Sequence, residues 1–131
     1  MSHDFHAPDF SRPTPSLFDE EAQDIAKIIR KNGSKTMNNT TQLRRFYDEI
    51  CQWYERAKKA EGDEFNALLP YIKMINAKVA YAEGRKLIDH YFASFIQKSL
   101  RNVNTLEEFR NFKLFFEAVM GFLKLEELGH K

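Results

Sequence analysis

Between Leu43 and Ala57 the apolar side chains fall on one side of a helix when successive residues are turned by 100°. Leu43, Phe46, Tyr47, Ile50, Cys51, Trp53, Tyr54 and Ala57 share that side. Arg44, Arg45, Asp48, Glu49, Gln52, Glu55, Arg56 and Lys59 share the other, without mixing. This pattern predicts a helix over about 41–60, capped by Thr40 or Thr41 and ended by Gly62. Phe18, Ala22, Ile25 and Ile29 predict a shorter helix over about 17–31, with Ser16 as its cap. Its acids (Asp19, Glu20, Glu21, Asp24) precede its bases (Lys27, Arg30, Lys31), an order that complements the helix dipole. A third helix is expected over about 66–85, with a core face of Leu68, Ile72, Ile75, Val79 and Ala82 and with Pro70 near its first turn. A fourth covers about 87–101. Thr105 and Glu108 form a capping box for a fifth over about 106–127.

The fifth helix is apolar over most of its circumference. Phe109, Phe112, Phe116, Val119, Met120 and Leu123 form one stripe, and Leu114, Phe115, Ala118, Phe122 and Leu125 fill much of the rest. Such a helix is either central in a bundle or covered by a partner. Phe115 and Phe122 lie off the main stripe, so at least one is expected to face a partner or a neighbouring copy. Residues 1–15 are polar, proline-rich and aperiodic, and are expected to be a mobile tail. That leaves 16–131 as a single domain, all-α, a compact bundle of about five helices.

Composition narrows the chemistry. A chain of 131 residues with 43% hydrophobic positions builds one domain with a real core, and five glycines and four prolines are too few for a many-stranded sandwich. Twenty Lys and Arg against nineteen Asp and Glu give a net charge of +1, so bulk charge names no partner. The single cysteine, Cys51, excludes an internal disulfide or a Cys-based zinc cluster, and reads as a buried, inert thiol. There is no run of 18 apolar residues and no signal-peptide core, which points to a soluble, cytoplasmic protein without membrane contact. His3, His6, His90 and His130 are scattered, and Glu107 and Glu108 serve a helix N-terminus. Phosphate loop, nucleophile elbow and metal-protease motif are all missing. No catalytic residue, metal or cofactor is expected, and no enzyme.

Two patterns remain. About 100° from its core face, the third helix carries Tyr71, Met74, Lys78, Tyr81 and Arg85, spaced 3, 4, 3 and 4, with no acid among them. Cations that meet phosphates, alternating with rings that stack, suit a nucleic acid. The plainer alternative is a helix edge where tyrosines shield the core and long side chains reach for water. Beside this stripe, Ala77, Ala80 and Gly84 are small enough for another helix to approach closely. The second pattern is an acid-free window over 25–47 holding Lys27, Arg30, Lys31, Lys35, Arg44 and Arg45. It suits phosphates, or simply serves a helix C-terminus and pairs Arg44 and Arg45 with Asp48 and Glu49 at i,i+4.

Three segments, in order, resemble the Csm-type small helical subunit of type III-A CRISPR effector complexes. Thr40-Thr41-Gln42-Leu43-Arg44, followed by Arg45-Phe46-Tyr47, is similar to the start of one of that family's helices. Lys78-Val79-Ala80-Tyr81-Ala82-Glu83-Gly84-Arg85 looks like its K-(L/V)-x-Y-x-x-G-R segment. Phe112-Lys113-Leu114-Phe115-Phe116-Glu117-Ala118-Val119 is similar to its final helix. Glu83 and Gly121-Phe122-Leu123 depart from the family's usual residues. The resemblance implies a non-catalytic subunit, several copies of which stack head to tail along guide RNA and target RNA. They would grip the backbone while base pairing supplies specificity. Its other expected partners are the large polymerase-like subunit and the subunit of the backbone filament. Arg44, Lys78 and Arg85 belong to the resembling motifs and are expected to meet phosphates; Tyr81, within the stripe, is expected to stack, and Arg45, Lys73, Lys86 and Lys35 are secondary candidates for RNA contact. A helical protein–protein adaptor or dimeric regulator without nucleic-acid binding is the alternative.

Overall fold

The computed structural model describes residues 4–129, all of them helical or in turns and loops, with no strand among the described residues. His3 and His130 lie outside that range. Helix α1 (Ala22–Asn32) is entered through a wide π turn, Leu17–Glu21. Helices α2 (Thr40–Ala57), α3 (Glu64–Lys73), α4 (Ile75–Gly84), α5 (His90–Arg101) and α6 (Leu106–Gly129) follow. No helix among the described residues is long and apolar enough to cross a membrane.

The expected bundle is present, with local corrections at its helix ends. Ser16 holds the cap position of the first turn but makes no capping bond, because its hydroxyl donates to Glu21 at 2.8 Å. Asn39, not Thr40 or Thr41, caps α2, its side chain accepting from the Gln42 N–H at 2.9 Å. The third expected helix is two segments. It starts at Glu64, which puts Pro70 in its interior. Pro70 offers no N–H to the preceding turn, and four residues later the Met74 N–H is shared between the Pro70 and Tyr71 carbonyls at 3.2 Å each. There the helix breaks into α3 and α4. Helix α5 begins at His90, three residues past the expected start at 87, and Asp89 caps it by accepting from the Phe92 N–H at 3.0 Å. The capping box of α6 is as expected: Glu108 N–H donates to Thr105 at 3.1 Å and Thr105 N–H to Glu108 at 3.0 Å.

Two helices share the centre. On α5, Tyr91, Phe92, Ala93, Ser94, Phe95, Ile96, Ser99 and Leu100 are buried. On α6, Phe109, Phe112, Phe115, Phe116, Val119 and Leu123 are buried, and α1 and α2 pack against this helix. Phe95 and Phe116 meet edge to face, with ring centroids 5.1 Å apart.

The expectation of a mobile tail over residues 1–15 fails for the described part. Phe10 is fully buried between Phe112 and Phe115, and Phe5 sits edge-on to Tyr91 and Phe95. Three side chains grip the segment by its backbone: Lys98 donates to the Phe5 carbonyl (3.1 Å), Asn102 to Pro8 (3.0 Å) and Asn111 to Phe10 (2.8 Å). Two widely spaced phenylalanines and main-chain carbonyls leave no periodicity to detect. The same strap corrects the expectation for Phe115, which it covers. Phe122 is half-buried against the core.

Candidate nucleic-acid interface

The exposed stripe is present as spaced. Tyr71, Met74 and Tyr81 are 64%, 61% and 66% exposed, while Ile72, Ile75, Val79 and Ala82 face inward and Leu68 is half-buried. The break at Met74 sets the upper part of the stripe on α3 and the lower part on α4.

Helix α4, packed on α5, faces α2 across a groove of about 360 Å³, of which the lower part of the stripe forms one wall. Arg45 and Glu49 come from α2, Lys78, Tyr81 and Arg85 from α4 and its C-cap. The Arg85 guanidinium lies 5.8 Å from the Tyr81 ring centre and donates to the Tyr81 hydroxyl at 3.3 Å. A second groove of about 520 Å³ shares Arg45, Glu49 and Lys78 and runs on to Trp53 and Arg56, whose guanidinium sits 4.8 Å from the Trp53 ring centre. The two grooves adjoin at these three residues, together called the channel, and each holds a ring with an arginine beside it, Tyr81 with Arg85 in one and Trp53 with Arg56 in the other.

This channel is not acid-free. The Lys78 ammonium pairs with Glu49 at 2.7 Å, an acid brought in by α2 and invisible in the spacing of the third helix. Glu49 is therefore not the partner of Arg45, and among the described residues neither Arg44 nor Arg45 pairs with an acid.

Arg44 points elsewhere. One residue turns a helix by 100°, so Arg44 lines a different groove, about 390 Å³ between α2 and α6, with Arg30, Tyr47, Glu117 and Lys124. There the Tyr47 hydroxyl donates to Glu117 at 3.3 Å, and burial together with the Cys51 and Glu117 side chains raises its pKa well above the usual tyrosine range. Lys35, Lys73 and Lys86 line none of these three grooves. Lys35 and Lys86 belong to two loops tied together by Asn38, whose N–H donates to the Leu87 carbonyl at 2.9 Å. Gly84 has open space where a Cβ would stand, so nothing among the described residues approaches it closely, and Ala77 and Ala80 are exposed beside it.

Trp53, Arg56 and Glu49 were not legible as site residues. Trp53 sits on the apolar side of α2 and is half-buried; only the i,i+3 spacing of Trp53 and Arg56 hints at their stacking. Elsewhere His90 pairs with Glu83 at 2.9 Å, and Cys51 is half-buried. No group of three or more His, Cys, Asp or Glu among the described residues is placed to hold a metal ion.

No curated protein and no solved structure matches the chain. A family model, described as Csm2 Type III-A, matches residues 12–127 and so takes in α1 to α5 and all but the last two residues of α6, the grooves on both sides of α2, and the three segments that resemble the Csm small subunit. The chain belongs to the Csm2 Type III-A family, the small structural subunit of type III-A CRISPR effector complexes.

Proposed function

We propose that the chain is a non-catalytic RNA-binding subunit of its effector complex, serving antiviral defence in the cytoplasm. Several copies stack along the guide RNA–target RNA duplex, beside the backbone filament and the large polymerase-like subunit, and hold the RNA backbone irrespective of sequence. The observation that supports this most is the convergence of Arg45, Lys78, Tyr81 and Arg85 from two helices on one groove. Lys78 and Arg85 are seven residues apart, roughly 10 Å along a helix axis, and so meet successive stretches of a passing backbone. Tyr81 lies between them as a platform for a base or sugar. Arg44, with Arg30, offers further cations across α2, in a groove that Lys124 shares with Glu117 and Glu127.

The test is a salt titration of binding to two single-stranded RNAs of unrelated sequence. Arg45→Ala and Arg85→Ala weaken both RNAs by similar factors, and each lowers the slope of log affinity against log salt by about 0.7. Tyr81→Ala costs about 1–3 kcal/mol of binding, the range for lost base stacking, with an unchanged slope. Wild-type affinity and slope in all three variants would favour the helical adaptor instead.

A further inference from the structure

Among the described residues the channel's cations are not equivalent. No acid lies within ion-pair distance of Arg45, Arg56 or Arg85, whereas Lys78 is held by Glu49 at 2.7 Å. The pair joins α4 to α2 where the two grooves meet, since Glu49 and Lys78 line both. Its partners are unequally exposed, 56% for the Lys78 side chain and 25% for Glu49. The carboxylate is seated in the wall and the lysine is the arm free to swing.

We propose that Glu49 is an internal stand-in for a nucleic-acid phosphate. It occupies Lys78 in the free protein and must release it when a backbone enters the channel. This rests on the RNA-binding reading above and deepens it by saying what the channel accepts. A carboxylate tethered beside the lysine competes at a high effective concentration, which a lone phosphate at ordinary concentration does not match. A polymer already held at Arg45 and Arg85 presents its next phosphate to Lys78 at a comparable effective concentration, and the exchange becomes favourable. Glu49 thus keeps the affinity of the channel for any one backbone, and for a small polyphosphate, moderate.

Glu49→Gln preserves the shape and removes the charge. Its binding to a 20-nucleotide single-stranded RNA and to inorganic tripolyphosphate is compared with wild type, with Lys78→Ala and with the double variant. RNA affinity at low salt rises by about fivefold, the upper range for releasing an exposed ion pair. Tripolyphosphate binding rises similarly, and both gains vanish in the Lys78→Ala background. Thermal melting followed by circular dichroism shows that each variant remains folded, and Glu49→Ala serves as a second charge-removing change should Glu49→Gln not fold. Unchanged binding of both ligands in Glu49→Gln overturns the proposal. So does an equal gain with and without Lys78, which would mean that the acid only repels phosphate. If tripolyphosphate gains while Arg45→Ala and Arg85→Ala leave RNA binding untouched, the stand-in role holds and the RNA-binding reading falls.

Discussion

Asn38 holds a left-handed backbone, φ 58°, and is 1% exposed. Its side chain donates to the Ile29 carbonyl (3.3 Å) and to Asp89 (3.0 Å), and accepts from the Asp89 N–H at 3.0 Å. Asp89 in turn caps α5 and takes a hydrogen bond from Asn32 at 2.8 Å, so one asparagine ties the end of α1, the loop before α2 and the start of α5. Removing the side chain leaves these buried groups unpaired, and alanine also dislikes the left-handed backbone. Asn38→Gly is expected to cost about 1–3 kcal/mol and Asn38→Ala roughly 1 kcal/mol more, read by urea denaturation. Tyr91 gives a pH signature. Burial, with the Asp89 and Asp24 carboxylates adding, pushes its phenol from 10.0 up to about 12. Because the folded pKa is raised, the stabilisation from a neutral phenol is intact below pH 10 and is lost as pH climbs toward 12. Tyr91→Phe should flatten that alkaline decline in a pH series of melting temperatures. None of this network could be read from the sequence, because Asn38 and Asp89 are 51 positions apart and each looks like an ordinary loop or cap residue.

At the scale of helices, periodicity was informative about which residues turn inward and silent about what meets them. The amphipathic face of α2 and the capping box of α6 were both legible, since each depends on neighbours three or four residues away. The break between α3 and α4 was not. The helix starts two residues earlier than the apolar spacing implies, so Pro70 lies inside it, and the fork at Met74, whose N–H is shared between two carbonyls, leaves no mark on that spacing. The surplus of apolar residues on α6 was real, but its cause is burial within this chain: α5 and the first residues cover Phe112 and Phe115. Phe115→Ala should therefore cost about 3–5 kcal/mol of stability, as a core phenylalanine does, whereas half-buried Phe122→Ala costs about 1–2 kcal/mol. Chemical denaturation of the two variants side by side decides it. The binding groove divides in the same way. Lys78, Tyr81 and Arg85 were visible as a stripe on one helix, while Glu49 and Trp53 joined them only when α2 was laid alongside.

Taken as a whole molecule, the bundle is closed by its own beginning. Phe5 and Phe10 lie before residue 12, where the match to the family model starts, yet they cover the aromatic face of α5 and α6. A chain trimmed to start at Arg12 is expected to melt lower by at least about 5 °C, to bind an apolar dye and to self-associate through the uncovered rings. Phe10→Ala in the full chain should reproduce part of the loss; melting unchanged in both would leave the strap without a structural role. Its contacts also fix an order in time. The hydrogen bonds that seat the strap join residues 93, 94 and 101 positions apart, and the last of them is to Asn111 on α6. During synthesis the segment holding Phe5 and Phe10 must wait until α5 and α6 have been made before it finds its place. A chain cut short before α6 never acquires the surface that Phe10 needs and stays marked by exposed phenylalanine at both ends, a state that chaperones and proteases recognise.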